Sequence, residues 1–317
     1  MRILIVCSGN TGQISPFVSE QVDSLKKFGI NFSFFLIEGR GFLGYLKNIT
    51  YLNKKITECN PALIHAHYGL SGLLALLVRN GYPLVTTFHG NDINPIHSNE
   101  ISKPNLNRLF SRITYHFSNY SIFVNKDLAL MVRAKQGKYS VIPCHVDLEM
   151  FYPINKTEAR KLCGLSLTKK YVLFSSSFDN YIKNYPLAQK ACRVFENLEL
   201  IELKGFARPE VNVLLNACDL ALITSFNEGS SQFIKEAMAC NCPIVTTKVG
   251  DVDLVIGDTE GCYVTTFEVD EVISKIKKAL AFVKKEKKTL GRQRIIELGL
   301  DAEHISQKVY DIYLKTI

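Results

Sequence analysis

No apolar run in this chain of 317 residues reaches the roughly 18 that a helix needs to cross a bilayer, so no membrane span is expected. No cleavage-site pattern follows the short apolar start at 3–7. Gly9-Asn10-Thr11-Gly12 comes at once, which favours a first buried strand over a signal peptide. The nine cysteines are odd in number and lack C-x-x-C spacing, which argues for free thiols in a reducing cytoplasm. Cys240-x-Cys242 is too close-set for an ordinary zinc site. No basic run exceeds Lys284-Lys285-Glu286-Lys287-Lys288, so the net charge of +8 does not read as a nucleic-acid binder. It suits an anionic membrane surface or an acidic substrate. Repeats of solenoid period and low-complexity segments are also missing.

What is present is an ordinary globular composition, 47% hydrophobic and 21% charged, in a chain long enough for two domains of roughly 150 residues. Short apolar runs alternate with amphipathic segments from end to end. Strands are expected at 3–7, 31–37, 62–65, 84–88, 121–124 and 140–142. Helices are expected between them at 16–28, 70–80, 105–117 and 126–135. The pattern resumes with strands at 171–176, 198–203, 220–224, 243–247 and 262–264. Runs apolar on both faces imply parallel sheets covered by helices. The expected fold is α/β, with two Rossmann-like doubly wound domains over 1–150 and 151–301. Ligands of such sheets bind beyond the carboxyl ends of the strands, so a cleft between the two sheets is the expected site.

Several constellations carry chemistry. Phe226-Asn227-Glu228-Gly229-Ser230-Ser231-Gln232 follows an apolar strand and opens a helix that carries Glu236. Gly229 permits the tight turn, Ser230 or Ser231 can cap the helix, and its N-terminus attracts phosphate. Glu228 and Glu236 are placed to hold a sugar and a ribose on either side of a diphosphate. Gly9-Asn10-Thr11-Gly12 ends the first strand, but G-x-x-G is not the G-x-G-x-x-G of a nicotinamide site. His89, in Phe88-His89-Gly90-Asn91-Asp92, stands at a strand end where sites are found. His65 and His67 share a strand face, with no third metal ligand evident. Ser177 and Lys183 flank a loop after the first strand of the second half, and Phe206 and Arg208 a loop after the next. The stretch 41–55 mixes aromatic and basic residues at helical spacing. It reads either as an interfacial helix or as one that packs Leu and Tyr inward with its lysines in water.

The run from Phe226 through Thr247, continued by Val249-Gly250-Asp251, resembles the donor-site signature of the retaining glycosyltransferases of family 4, which have the GT-B fold. The resemblance extends to His89-Gly90-x-Asp92, to the His65-Ala66-His67 pattern, and to Ile142-Pro143-x-x-Val146-Asp147 with Phe151 and Pro153. In that last element His145 replaces the usual glycine. It implies a nucleoside-diphosphate sugar, UDP- or GDP-linked, as co-substrate, with no cofactor and no metal. It assigns Glu228 to the sugar hydroxyls, Glu236 to the ribose, His89 to the sugar and Gly12 to the phosphates. Gly229, Ser230, Ser231 and Gln232 line the donor, with Phe206 and Arg208 by the nucleobase. Asn10 and Asp92 fall on the acceptor side, whose loops lie around 10–16, 40–50 and 91–103. Lys183 fits the family's lysine, but Ser177 stands where an arginine is expected, and the two are not interchangeable. Arg208 is a candidate to supply the missing cation. The helix at 302–317 resembles the one that packs back on the N-terminal domain, and domain closure would exclude water from the donor. The implied reaction is transfer to a glycan or lipid-linked acceptor, a precursor of a surface polysaccharide. It would take place in the cytoplasm, with peripheral contact at the inner face of the membrane. A nucleotide-sugar 2-epimerase of the same fold and a non-catalytic sugar-nucleotide-binding subunit are the alternatives.

Overall fold

The computed structural model describes residues 1–10, 12–93, 106–285 and 288–317. Thr11 of the glycine loop, 94–103 of the expected acceptor loops, Asn105 and positions 286–287 of the basic run lie outside the described residues. The chain divides into two compact units, Met1–Cys144 with Ala302–Ile317, and His145–Asp301.

The first unit holds β1 (Arg2–Ser8), β2 (Asn31–Ile37), β3 (Leu63–His67), β4 (Leu84–Phe88), β5 (Tyr120–Phe123) and β6 (Tyr139–Val141). All pair in parallel in the order β2-β1-β3-β4-β5-β6. β3 and β4 are fully buried, as central parallel strands covered on both faces are, and they carry His65, His67, Thr86 and Thr87 into the core. The chain reverses direction of growth between β1 and β3, the switch point at which doubly wound sheets place ligands. Tyr313, in the last helix Ala302–Thr316, is buried and its hydroxyl lies 2.6 Å from His65 Nδ1.

The second unit holds β7 (Lys170–Phe174), β8 (Leu198–Ile201), β9 (Leu220–Ile223), β10 (Ile244–Thr247) and β11 (Cys262–Thr265). Their order is β11-β10-β9-β7-β8, again all parallel. Here the switch point lies between β7 and β9. Two helix boundaries differ from expectation for local reasons. The helix expected over 126–135 ends at Met131, and Arg133 turns left-handed at φ 58°. The stretch 41–55 forms two helices, Gly41–Leu46 and Ile49–Cys59. Asn48 stands at the break, where its side-chain amide donates to the Glu38 and Gly44 carbonyls.

One helix packs in an unusual sense. Leu106–Phe117 turns Ser111, Thr114 and Ser118 inward against the helix Gly69–Val78. Thr114 donates to the Gly69 carbonyl at 2.7 Å, and Ser118 meets the Thr86 hydroxyl at 2.9 Å. A Cβ on Gly69 would fall 2.1 Å from Ser111 Oγ, and one on Gly72 would fall 2.4 Å from a Thr114 methyl. The approach is thus so close that only small residues fit the seam. Gly69→Ala should therefore destabilise this unit by about 1–3 kcal/mol. Urea unfolding is the check, and an unchanged midpoint would contradict the seam.

Candidate functional site

The loops leaving β7 and β9 meet at the switch point of the second sheet. The Phe226 amide donates to the Ile182 carbonyl at 2.9 Å, and the Thr224 hydroxyl bridges the Lys183 and Asn184 carbonyls at 2.9 and 3.0 Å. These bonds set the 3₁₀ turn Tyr181–Lys183 beside the exit of β9. Lys183 Nζ then reaches Glu228 Oε1 at 2.6 Å, and the Ser225 hydroxyl donates to the same oxygen at 2.7 Å. Ser225 is itself held through its carbonyl by the Thr247 hydroxyl, 2.7 Å away at the end of β10. The loop after β10 closes on the turn at 228–229. A Cβ on Gly250, where φ is +56°, would stand 2.6 Å from the Gly229 carbonyl oxygen, so only glycine fits.

Eight residues beyond Glu228, Glu236 lies on the helix Gln232–Ala239 with 2% of its side chain exposed. Its carboxylate accepts from Arg208 Nη2 at 2.7 Å, and the guanidinium lies 4.7 Å over the Phe151 ring. Arg208 is thus brought to Glu236. At Ser177 the hydroxyl, and after it Lys204, hold the Asp179 carboxyl below its usual range. Lys204 Nζ stands 3.1 Å from Asp179. Lys204 thus brings a cation to the Ser177–Asp179 part of that loop, one that sequence reasoning passed over. Ser230 and Ser231 also differ from a simple cap. The Ser230 hydroxyl donates to Asp251 at 2.6 Å and accepts from Lys235 at 2.6 Å, and the helix shows no side-chain cap bond from Ser231. Lys235 is fully buried and lies 3.1 Å from Asp251. A lysine so placed needs its partner, since an unpaired buried charge is strongly destabilising.

In the first unit the loops after β1, β3 and β4 gather at the carboxyl edge. Asn10 is exposed, but its side-chain amide is engaged. Its side chain donates to the Gly39 carbonyl and accepts from the Gly39 amide, both at 2.8 Å, and so ties the β1 and β2 loops together. Gly12 is left-handed at φ 73°, but its added Cβ would meet nothing. The close approach is at Gly9, where a Cβ would fall 2.8 Å from Leu36 Cβ. Asp92 accepts from the Gly69 and Gly90 amides at 3.0 and 2.9 Å, while burial pushes its carboxyl up to about 6. Tyr68 takes φ 75° and ψ 148°, a region that costs a non-glycine residue on the order of 1–3 kcal/mol. Its ring packs on His89 and Phe17. His89 Nε2 lies 3.0 Å from His67 Nδ1, and both nitrogens of His65 are engaged, by Tyr313 and by Thr87. A cavity of about 320 Å³ opens beside this cluster, lined by Ser8, Ser15, Tyr45, Tyr68, Asp92 and Ser111 among others, with no Lys or Arg among its described residues.

Residues 11–150 match the family model described as Glycosyltransferase Family 4, and 181–281 match that described as Glycosyl transferases group 1. The chain belongs to the glycosyltransferases. N-acetyl-alpha-D-glucosaminyl L-malate synthase of Bacillus anthracis is 25% identical over 238 residues, or 63% of this chain and 60% of that protein. The putative teichuronic acid biosynthesis glycosyltransferase TuaC of Bacillus subtilis is 27% identical over 230 residues, 64% of this chain and 57% of its own. The chain thus matches less than two thirds of the length of these relatives. Among solved structures, sucrose-phosphate synthase from Thermosynechococcus elongatus superposes with a TM-score of 0.85 at 17% identity, covering 99% of this chain and 98% of that one. Anabaena HepE in complex with UDP-glucose gives 0.75 at 17%, covering all of both chains. At such identities the likeness is one of fold, and that fold is GT-B.

In this glycosyltransferase, sequence reasoning named both glutamates and Lys183 but missed Ser225, Lys235, Lys204 and Tyr68. Lys235 left a signal, a lone lysine inside the buried run Phe233-Ile234-x-x-Ala237-Met238. The histidine cluster generates a prediction. Burial holds the imidazoles of His65 and His89 well below 6.5 and that of His67 down to about 3. The folded state therefore binds fewer of these protons than the unfolded chain. The stability this contributes is complete above pH 6.5 and is lost as the pH falls below it. Asp92 opposes this more weakly, as one group against three. NMR titration should find all three rings neutral at pH 5, and a ring protonating near pH 6.5 would contradict the packing.

Proposed function

We propose that this chain is a retaining, metal-independent hexosyltransferase that moves a sugar from a UDP- or GDP-linked donor to a hydroxyl acceptor. The observation that carries the reading is the double pairing at the switch point, Lys183 with Glu228 and Arg208 with Glu236. Two carboxylates suit vicinal hydroxyls of a sugar and a ribose, and two cations suit a diphosphate between them. Glu228 orients the donor sugar, Glu236 the ribose. Lys183, with the positive end of the helix Gln232–Ala239, stabilises the charge that develops as the diphosphate leaves. The bond from the anomeric carbon to the phosphate oxygen breaks as the acceptor oxygen bonds to that carbon. The departing phosphate takes the acceptor's proton, so no strong base is required. His89 takes part as a neutral imidazole on the acceptor-side unit.

The complexes of Anabaena HepE with UDP and UDP-glucose support a uridine donor, and TuaC supports a surface-polysaccharide precursor as acceptor. The cavity at Tyr68 and Asp92, with hydroxyls, phenols and one carboxyl, suits a neutral acceptor rich in hydroxyl groups. One observation favours a second reading, a non-catalytic nucleotide-binding subunit. Ser177 stands where a guanidinium is expected, and its hydroxyl bonds a carboxylate, Asp179. Proton NMR with UDP- and GDP-sugars separates the two. Release of free nucleotide from one donor, reduced about a hundredfold or more in Glu228→Ala, supports transfer. Donor binding without turnover under any acceptor supports the subunit, and unchanged turnover in Glu228→Ala overturns the site.

A further inference from the structure

The helix Leu106–Phe117 is built inside out. Its inward face is Ser111 and Thr114, seated on the Gly69–Gly72 seam, with Tyr115 packed on Phe123 and Ser118, just past the helix end, on Thr86. Its apolar residues, Leu106, Leu109, Phe110, Ile113 and Phe117, recur at three- and four-residue spacing along the opposite side. Leu106, Leu109 and Phe117 are each more than half exposed, at 57%, 51% and 58%. The stripe continues onto the short helix Gly41–Leu46, where Phe42 stacks on Phe110 with centroids 4.9 Å apart and Leu43 is 76% exposed. Beside the stripe, Arg112 and His116 of the same helix share a groove of about 590 Å³ with Arg133, Lys135 and Lys138. No carboxylate lines that groove among the described residues.

We propose that this face docks on an anionic membrane surface, with the leucines and phenylalanines at the acyl boundary and the five basic side chains over lipid phosphates. An apolar stripe flanked by cations is what an interfacial helix requires, and each added Lys or Arg strengthens its hold on a negative leaflet. Among the described residues no helix is long and apolar enough to cross a membrane, so the contact assigned here is one lying on the surface. A second copy of the chain is a poorer occupant, because a twofold contact would set this cationic face against itself. The assignment goes beyond the transferase reading and does not depend on it. It also relocates the interfacial element. The helix Ile49–Cys59 buries Leu52, Ile56 and Cys59, and the exposed apolar surface lies on its neighbours.

The test is co-sedimentation of the protein with vesicles of phosphatidylcholine alone and of equal parts phosphatidylcholine and phosphatidylglycerol. Binding is expected to the anionic vesicles only and to weaken with added salt. The double variants Leu109→Gln/Phe117→Gln and Arg112→Glu/Lys135→Glu change exposed side chains, so circular dichroism should remain native. Each should lower vesicle partitioning by more than about tenfold while UDP binding is unchanged. No partitioning, equal partitioning to neutral vesicles, or variants that bind like the parent protein would overturn the proposal. So would a dimer lost in Leu109→Gln/Phe117→Gln without vesicle binding, which would give the face to a second copy. Loss of UDP binding in the parent protein with vesicle binding intact would overturn the donor site and leave this surface standing.

Discussion

A glutamate that is almost wholly withdrawn from water must find a cation, and that requirement organises the second unit. Glu236 at 2% exposure and Glu228 at 13% stand at the exit of one buried strand. Each is matched by a cation from a different loop. The loop after β7 supplies Lys183, and the loop after β8 supplies Arg208 at the start of the helix Arg208–Ala217. Removing one partner of such a pair strands the other charge in a poor dielectric. The three loops are therefore held in register by charge as well as by the backbone bonds at Phe226 and Thr224. A cation poised beside a carboxylate is also one that an incoming diphosphate can recruit, so the interaction that holds the loops together prepares them for an anionic ligand.

Lys235 and Asp251 extend the same logic one layer deeper. The ammonium sits beneath the first turn of the helix Gln232–Ala239, and Ser230 bridges it to Asp251. The turn that carries Glu228 is thus clamped from below by an ion pair and from above by the Gly250 contact. In the first unit the equivalent clamps are hydrogen bonds to backbone groups. Asp92 gathers two backbone amides and Asn10 two backbone groups of Gly39, and the stacked histidines are kept uncharged by burial. One edge is thus strongly charged and the other is shaped by hydroxyls and rings.

Much of this was legible in the sequence because parallel strands buried on both faces leave unbroken apolar runs. Every expected strand is present, β2 and β4 with the expected ends and the others offset by a residue or more, as at β3, which runs on to His67. Glu228, Glu236 and Lys183 were legible because their spacing around a strand-to-helix turn carries the chemistry. What was not legible depends on contacts across the chain. That Gly9 makes the close approach and Gly12 does not depends on where Leu36 lies. Arg208 goes to Glu236 because Phe151 offers its ring there. The helix Leu106–Phe117 would be expected to face its apolar side inward, but the glycine seam of its neighbour admits only small side chains and reverses it. The strained Tyr68 leaves no trace in composition, since only the fold compels its backbone angles.

The central claim is that the paired carboxylates and cations at the β7–β9 switch point form a nucleoside-diphosphate-sugar site. A crystal structure of the protein with UDP tests it most directly. The account predicts ribose hydroxyls on Glu236 and the diphosphate within hydrogen-bonding distance of Lys183. UDP bound away from this strand end, with neither Glu236 nor Lys183 in contact with it, would contradict the account.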